Sequence, residues 1–139
     1  MTIRVQLIRC VRAVAILLCC CLAGCPQRTE VWVAENSRRE HLVLRIGKSR
    51  ESNDSVAIGV IRVYGCQGPA AGRGAMWVTG PSSGTAYVRE VVYGNPPSGF
   101  STDQGPKTLL PGCYFVDVSG TGKTAFTVSN SGEVTERER

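Results

Sequence analysis

The sequence predicts an all-β fold, a small antiparallel β-sandwich of about seven to eight short strands behind a cleaved secretory signal. Three observations carry that expectation. From residue 30 onward the apolar residues come in short runs or in alternation, and no stretch keeps the period of about 3.6 residues that marks an amphipathic helix. Those runs are separated by clusters of Gly, Pro, Ser and Asn, the residues that turns require. The first 24 residues differ in kind from the rest, with Arg4, Arg9 and Arg12, no acid, and an uncharged stretch over 13–23.

A bilayer-spanning helix needs about 20 consecutive apolar residues, and this run is stopped by Arg12 on one side and Gln27-Arg28 on the other. It reads as a signal segment that is removed. The run closes on Leu22-Ala23-Gly24-Cys25, which resembles the lipobox of bacterial lipoproteins. The alternative is an ordinary signal peptide whose small residues, Ala23 and Gly24, suit the peptidase that removes it. The resemblance implies cleavage before Cys25, a diacylglycerol on the Cys25 thiol and a further acyl chain, palmitate in type, on the new amino group. At roughly 0.8 kcal/mol per buried methylene, two or three chains make attachment to the lipid bilayer long-lived. No adjacent arginine pair precedes the apolar run, so export is expected through the general, unfolded route. An Asp after the lipidated Cys resembles an inner-membrane retention signal; here Pro26 follows, which points to the outer rather than the inner membrane of the cell envelope.

The expected organisation is a signal at 1–24, a lipidated tether at 25–30, a β-sandwich domain at 31–136 and a frayed tail at 137–139. Removing the signal leaves 115 of the 139 residues, enough for one domain that buries roughly two thirds of its unfolded surface. Three arginines leave with it, so 13 basic residues face 11 acidic ones and the net charge falls from +5 to +2. Arg45, Arg62, Arg73 and Arg89 are scattered, which argues against a nucleic-acid partner.

In order along the chain, strands are expected at 31–34, 41–46, 56–64, 75–79, 85–93, 113–119, 124–129 and, weakly, 133–136. Gly47-Lys48-Ser49 opens a polar stretch, Gly80-Pro81-Ser82-Ser83-Gly84 breaks the middle, and Gly120-Thr121-Gly122 separates two β-branched runs as a hairpin turn. The connection over 94–111, with Asn95-Pro96-Pro97 and Gly105-Pro106, is excluded as a central strand and is expected to be a mobile loop. In the strand after it, Tyr114, Val116 and Val118 are expected on one face and Phe115 and Asp117 on the other, with Phe126 and Val128 rejoining the core after the turn.

Leu109-Leu110-Pro111-Gly112-Cys113-Tyr114 resembles the lead-in to a strand of immunoglobulin-like and prealbumin-like sandwiches, in which Leu-x-Pro-Gly-x-Tyr precedes an alternating strand. The resemblance covers about 25 residues and implies a fold, since such sandwiches host unrelated functions. No specific family follows from it.

Of seven cysteines, Cys10, Cys19, Cys20 and Cys21 leave with the signal and Cys25 is the acylated one. Cys66 and Cys113 remain, and a lone pair in an oxidising compartment reads as one disulfide. The alternative is two separate buried thiols, because spacing alone does not bring the α-carbons within reach.

The chemical motifs fail on context. Ser119-Gly120-Thr121-Gly122-Lys123-Thr124 ends like a phosphate-binding loop, but Asp117 stands where the first glycine belongs and the following residues read as a strand instead of a helix. The stretch 68–74 has loop composition. His41 is the one histidine, expected as a solvated strand-end residue, and with no free thiol partner it makes no zinc site. Glu35, Glu40, Asp54, Asp103 and Asp117 are isolated carboxylates, so a hydrolase would need them to meet in the fold. No catalytic, metal or cofactor residue is assigned, and the ligand-binding residues stay unknown. Trp32 and Trp77 are expected in the core rather than as sugar-stacking platforms, and Tyr64, Tyr87 and Tyr93 carry the same ambiguity.

The tether from 26 to 30 is a leash of roughly 17 Å when extended. The expectation is therefore a non-catalytic, lipid-anchored envelope protein acting as a membrane-proximal structural or interaction module, with an envelope protein as partner. The alternative is a carbohydrate-binding or hydrolase-inhibitor module that uses the 94–111 segment and exposed aromatics, with a glycan or a foreign hydrolase as ligand.

Overall fold

The structure, a computed structural model, describes residues 28–66 and 74–137. The signal at 1–24, Cys25, most of the 68–74 stretch and the last two residues of the tail lie outside the described residues. What is described is all-β, with no helix: eleven strands in three antiparallel sheets that make a sandwich-like arrangement.

The strands are β1 Glu30–Val33, β2 Val43–Gly47, β3 Val56–Ile58, β4 Ile61–Gly65, β5 Trp77–Pro81, β6 Ala86–Val88, β7 Glu90–Val92, β8 Phe100–Gln104, β9 Gly112–Val118, β10 Gly122–Val128 and β11 Val134–Arg137. One sheet runs β1-β2-β7, the second β11-β10-β9-β4-β5-β8, and the third is the ribbon β3-β6. The count exceeds the expected eight for two reasons. Two expected strands each divide, and the 94–111 connection contains one of its own.

The divisions follow from slips in the alternating pattern. Val56 and Ile58 are buried, then Ile61 and Val63, so the spacing across Gly59-Val60 is three instead of two. A one-residue slip would turn the later side chains outward, and the chain instead bends there and changes sheet. Gly59 makes the bend possible by close approach, because a Cβ at that position would stand 3.2 Å from Ser119 Cβ. Likewise Val88 and Val91 are both buried, across exposed Arg89 and Glu90. The Arg89 carbonyl still accepts the Ile46 N–H at 2.9 Å, so β6 and β7 continue one path while pairing with different partners. Ribbon β3-β6 thus turns the corner between the two larger sheets, a familiar way for strands to close the end of a sandwich.

Strand β8 corrects the expected mobile loop. It pairs with β5 at the edge of the six-stranded sheet, with a register irregularity at Val78/Thr79, and its Ser101, Thr102 and Asp103 are exposed. Proline and glycine on either side keep it from a central position, yet the edge is open to it. The rest of the connection is also fastened: Leu109 is 2 % exposed within the core, and Lys107 N–H donates to the Met76 carbonyl at 2.9 Å.

The face of β9 alternates as its sequence implies. Tyr114, Val116 and Val118 are buried, as are Phe126 and Val128 across the hairpin, whose turn places Gly120 at φ +80°. Tyr114 stacks on Phe126 at 5.4 Å, and its hydroxyl donates to the Leu110 carbonyl at 2.8 Å. That back-bond holds the strand's lead-in as a tyrosine corner does in sandwich domains. Opposite it the three-stranded sheet contributes Val31, Val33, Leu44, Ile46 and Val91, and Trp77 fills the centre with no exposed surface.

Candidate functional site

The sandwich has two distinguishable ends, and the chain's chemistry is divided between them. One is the end where the described chain begins. Strand β1 is paired from its first residue, Glu30 against Gly47, and the preceding Thr29 donates its hydroxyl to the Thr121 carbonyl at 3.4 Å. The Thr29 carbonyl lies in ordinary contact range of Gly122, so the tether runs against the β9–β10 turn. Arg28, Glu30, Lys48 and Glu51 are exposed in the segments that meet here, where Glu30 pairs with Gly47. The Gly-Lys-Thr sequence belongs to this hairpin: Thr121 N–H donates to Val118 at 3.0 Å and β10 follows at once. A strand presents no free helix-terminal amides to a phosphate.

Cys25, the expected lipidation site, lies outside the described residues, four positions before Thr29.

At the opposite end the structure joins Cys66 and Cys113 in a disulfide, with α-carbons 5.2 Å apart. The two residues face each other at the mouths of neighbouring strands β4 and β9, where Cys66 N–H donates to the Cys113 carbonyl at 3.0 Å. The bond therefore staples one sheet to itself, unlike the inter-sheet bond of antibody domains. Arg137 reaches along the same surface, with Nη1 3.0 Å from Cys113 Sγ. Beside the disulfide is a hollow of about 430 Å³ lined by Met76, Pro111, Tyr114 and the 63 %-exposed Leu110.

Tyr93 pins the long connection to this end. Its hydroxyl donates to the Lys107 carbonyl at 2.7 Å, with the Met76 carbonyl at 3.3 Å, and its ring meets Trp77 edge-on at 5.2 Å. Burial pushes the phenol up to about 12.

Trp32 is buried at 6 % exposure but not in the core. Val31 and Val33 point inward, which turns Trp32 to the outer face of its sheet. Gly47 lets the indole lie flat, since a Cβ there would meet Trp32 Cη2 at 3.1 Å. Arg50 covers the ring at 5.8 Å and pairs with Glu136 at 2.5 Å, while Thr124 donates to the same carboxylate at 2.8 Å. These groups line a hollow of about 420 Å³ at the seam between edge strands β1 and β11.

The expected lone carboxylates go separate ways. Asp117 pairs with Lys123 at 3.9 Å and Glu40 with Arg39 at 3.1 Å. Glu40 is held below the usual carboxylate range by its backbone hydrogen bond, then by Arg39. His41 is exposed beside β2, in a two-way backbone bridge with Arg38. Among the described residues no group of three His, Cys, Asp or Glu side chains is placed to hold a metal ion.

No protein family, curated protein or solved structure matches the chain.

Proposed function

We propose that this chain is a non-catalytic, lipid-anchored envelope protein, a structural or interaction module held against the membrane surface by acylated Cys25. The lipobox residues Leu22-Ala23-Gly24-Cys25 supply the anchor. The observation that carries the membrane-proximal part is the fixed start of β1: from Glu30 the chain is committed to a sheet, which leaves residues 26–29 as the length of chain between Cys25 and the domain. Pro26, standing after Cys25 in place of an Asp, supports the outer membrane as its location. The non-catalytic part is supported by the carboxylates Glu40, Glu90, Asp117 and Glu136, each of which lies against a cation rather than beside a second acid. A carbohydrate or inhibitor role through the 94–111 segment has less behind it. That segment presents Phe100 as its one ring, half-buried against the core, and the connection is strapped down at Leu109 and Lys107.

The test is fractionation of cells expressing the parent chain or Cys25→Ala. The parent is expected in the membrane pellet after a carbonate wash, and the variant in the soluble fraction or uncleaved. Equal retention of a cleaved variant would sink the proposal.

A further inference from the structure

Two large apolar side chains are exposed among the described residues, Tyr87 at 74 % and Leu110 at 63 %. They stand at opposite ends of the sandwich. Tyr87 lies on β6, opposite Ala57 of β3, on the outer face of the ribbon whose inner face buries Val56, Ile58 and Val88. That ribbon is next to the tether. Ile58 leads into Gly59, whose N–H donates to the Ser119 carbonyl at 3.1 Å, and Ser119 begins the turn on which Thr29 rests. Leu110 belongs to the disulfide end, at the far side of β9.

We infer that the β3-β6 ribbon is the bilayer-facing surface of the domain, with the Tyr87 ring seated among phospholipid headgroups and the Leu110–disulfide hollow facing away from the membrane. The inference rests on lipidation of Cys25 as proposed above. Two lengths decide the orientation. From Cys25 to the fixed Thr29 the chain spans four residues, at most about 14 Å. Strand β9, seven residues long, separates the tether end from the disulfide end by about 20 Å. The leash is shorter than the domain, so the disulfide end is unable to rest on the headgroups while the tether end stands above it. Between lying sideways and standing on the tether end, Tyr87 decides. An aromatic ring with a polar tip gains at the boundary between headgroups and acyl chains, where its body is apolar and its hydroxyl stays wet.

The experiment uses the full lipidated protein, extracted from membranes and reconstituted into vesicles of phosphatidylethanolamine and phosphatidylglycerol with or without bromine on the upper acyl carbons. Tyr87→Trp and Leu110→Trp each add an indole at an exposed position, over the common background of buried Trp32 and Trp77. An interfacial ring sits about 5–10 Å into the boundary region, so the added emission of Tyr87→Trp is expected to fall by roughly half in brominated vesicles. That of Leu110→Trp is expected not to change, and aqueous acrylamide should quench the two in the reverse order. Equal bromine quenching of both, or a shielded Trp at 87 that bromine leaves untouched, overturns the orientation while the acyl anchor stands. Vesicle-bound protein lacking acyl mass overturns the anchor and the orientation together.

Discussion

Replacing Cys66 and Cys113 together by alanine is expected to cost the domain about 4 kcal/mol. The two lie 47 positions apart, and in the chain-entropy account a loop of that size, left open in the unfolded chain, accounts for about 4 kcal/mol at room temperature. The native state loses little by comparison. Cys66 is exposed and Cys113 half-buried, so truncation at Cβ uncovers less than about 1 kcal/mol of apolar contact. The flanking pairs Tyr64↔Phe115 and Gly65↔Tyr114 keep their register without the bond. With native domains of this size stable by about 5–15 kcal/mol, the change is large but survivable. Urea unfolding of the oxidised parent and the double variant measures it. For a slope of about 1.5 kcal/mol per M the midpoint should fall by roughly 2–3 M. A fall smaller than about 0.5 M, with the bond in the parent verified by thiol titration, would refute the entropic reasoning and mean that the unfolded chain is already as compact as the crosslinked one.

Three other outcomes are expected. Phe126→Ala, which empties the stack on Tyr114 at zero exposure, should cost about 3–5 kcal/mol in the same urea assay; a loss near that of a surface substitution would contradict the placement of the core. Arg50→Ala should cost about 1 kcal/mol or less, because its side chain is 56 % exposed, yet it should shift Trp32 emission to the red, and raising salt should narrow the stability gap to the parent. Tyr93 keeps its proton in the fold up to about pH 12, whereas the unfolded phenol ionises near pH 10. The unfolded chain thus binds fewer protons between those values, stability is full below about pH 10 and declines toward about pH 12, and Tyr93→Phe should flatten that decline at the expense of its two carbonyl contacts.

Strands β9 and β10 were legible because a seven-residue alternation, a glycine turn and a second alternation leave one register that buries Tyr114, Val116, Phe126 and Val128 together. The corner ribbon was legible only in part. The odd spacings from Ile58 to Ile61 and from Val88 to Val91 are present in the sequence, but a slip is read as a change of sheet only once the partner strands are known. Strand β8 carried almost no signal, since an edge strand needs no buried face, and Ser101 and Thr102 pair through their backbone while their polar side chains, like that of Asp103, stay exposed. Trp32 shows why burial and core membership differ. An outward tryptophan is covered here by Arg50 from a loop, a tertiary meeting that local composition does not encode. Tyr87 was one of three tyrosines of equal standing in the sequence, and its exposure became clear from its pairing with Ala57 on the outer side of the ribbon.

Everything functional here turns on what is attached at Cys25, and the intact mass of protein extracted from membranes reads it directly. The account predicts a chain that starts at Cys25 and is heavier than its sequence by a diacylglycerol and an amide-linked acyl chain. A terminus elsewhere, or Cys25 at its bare mass in membrane-associated protein, would contradict it.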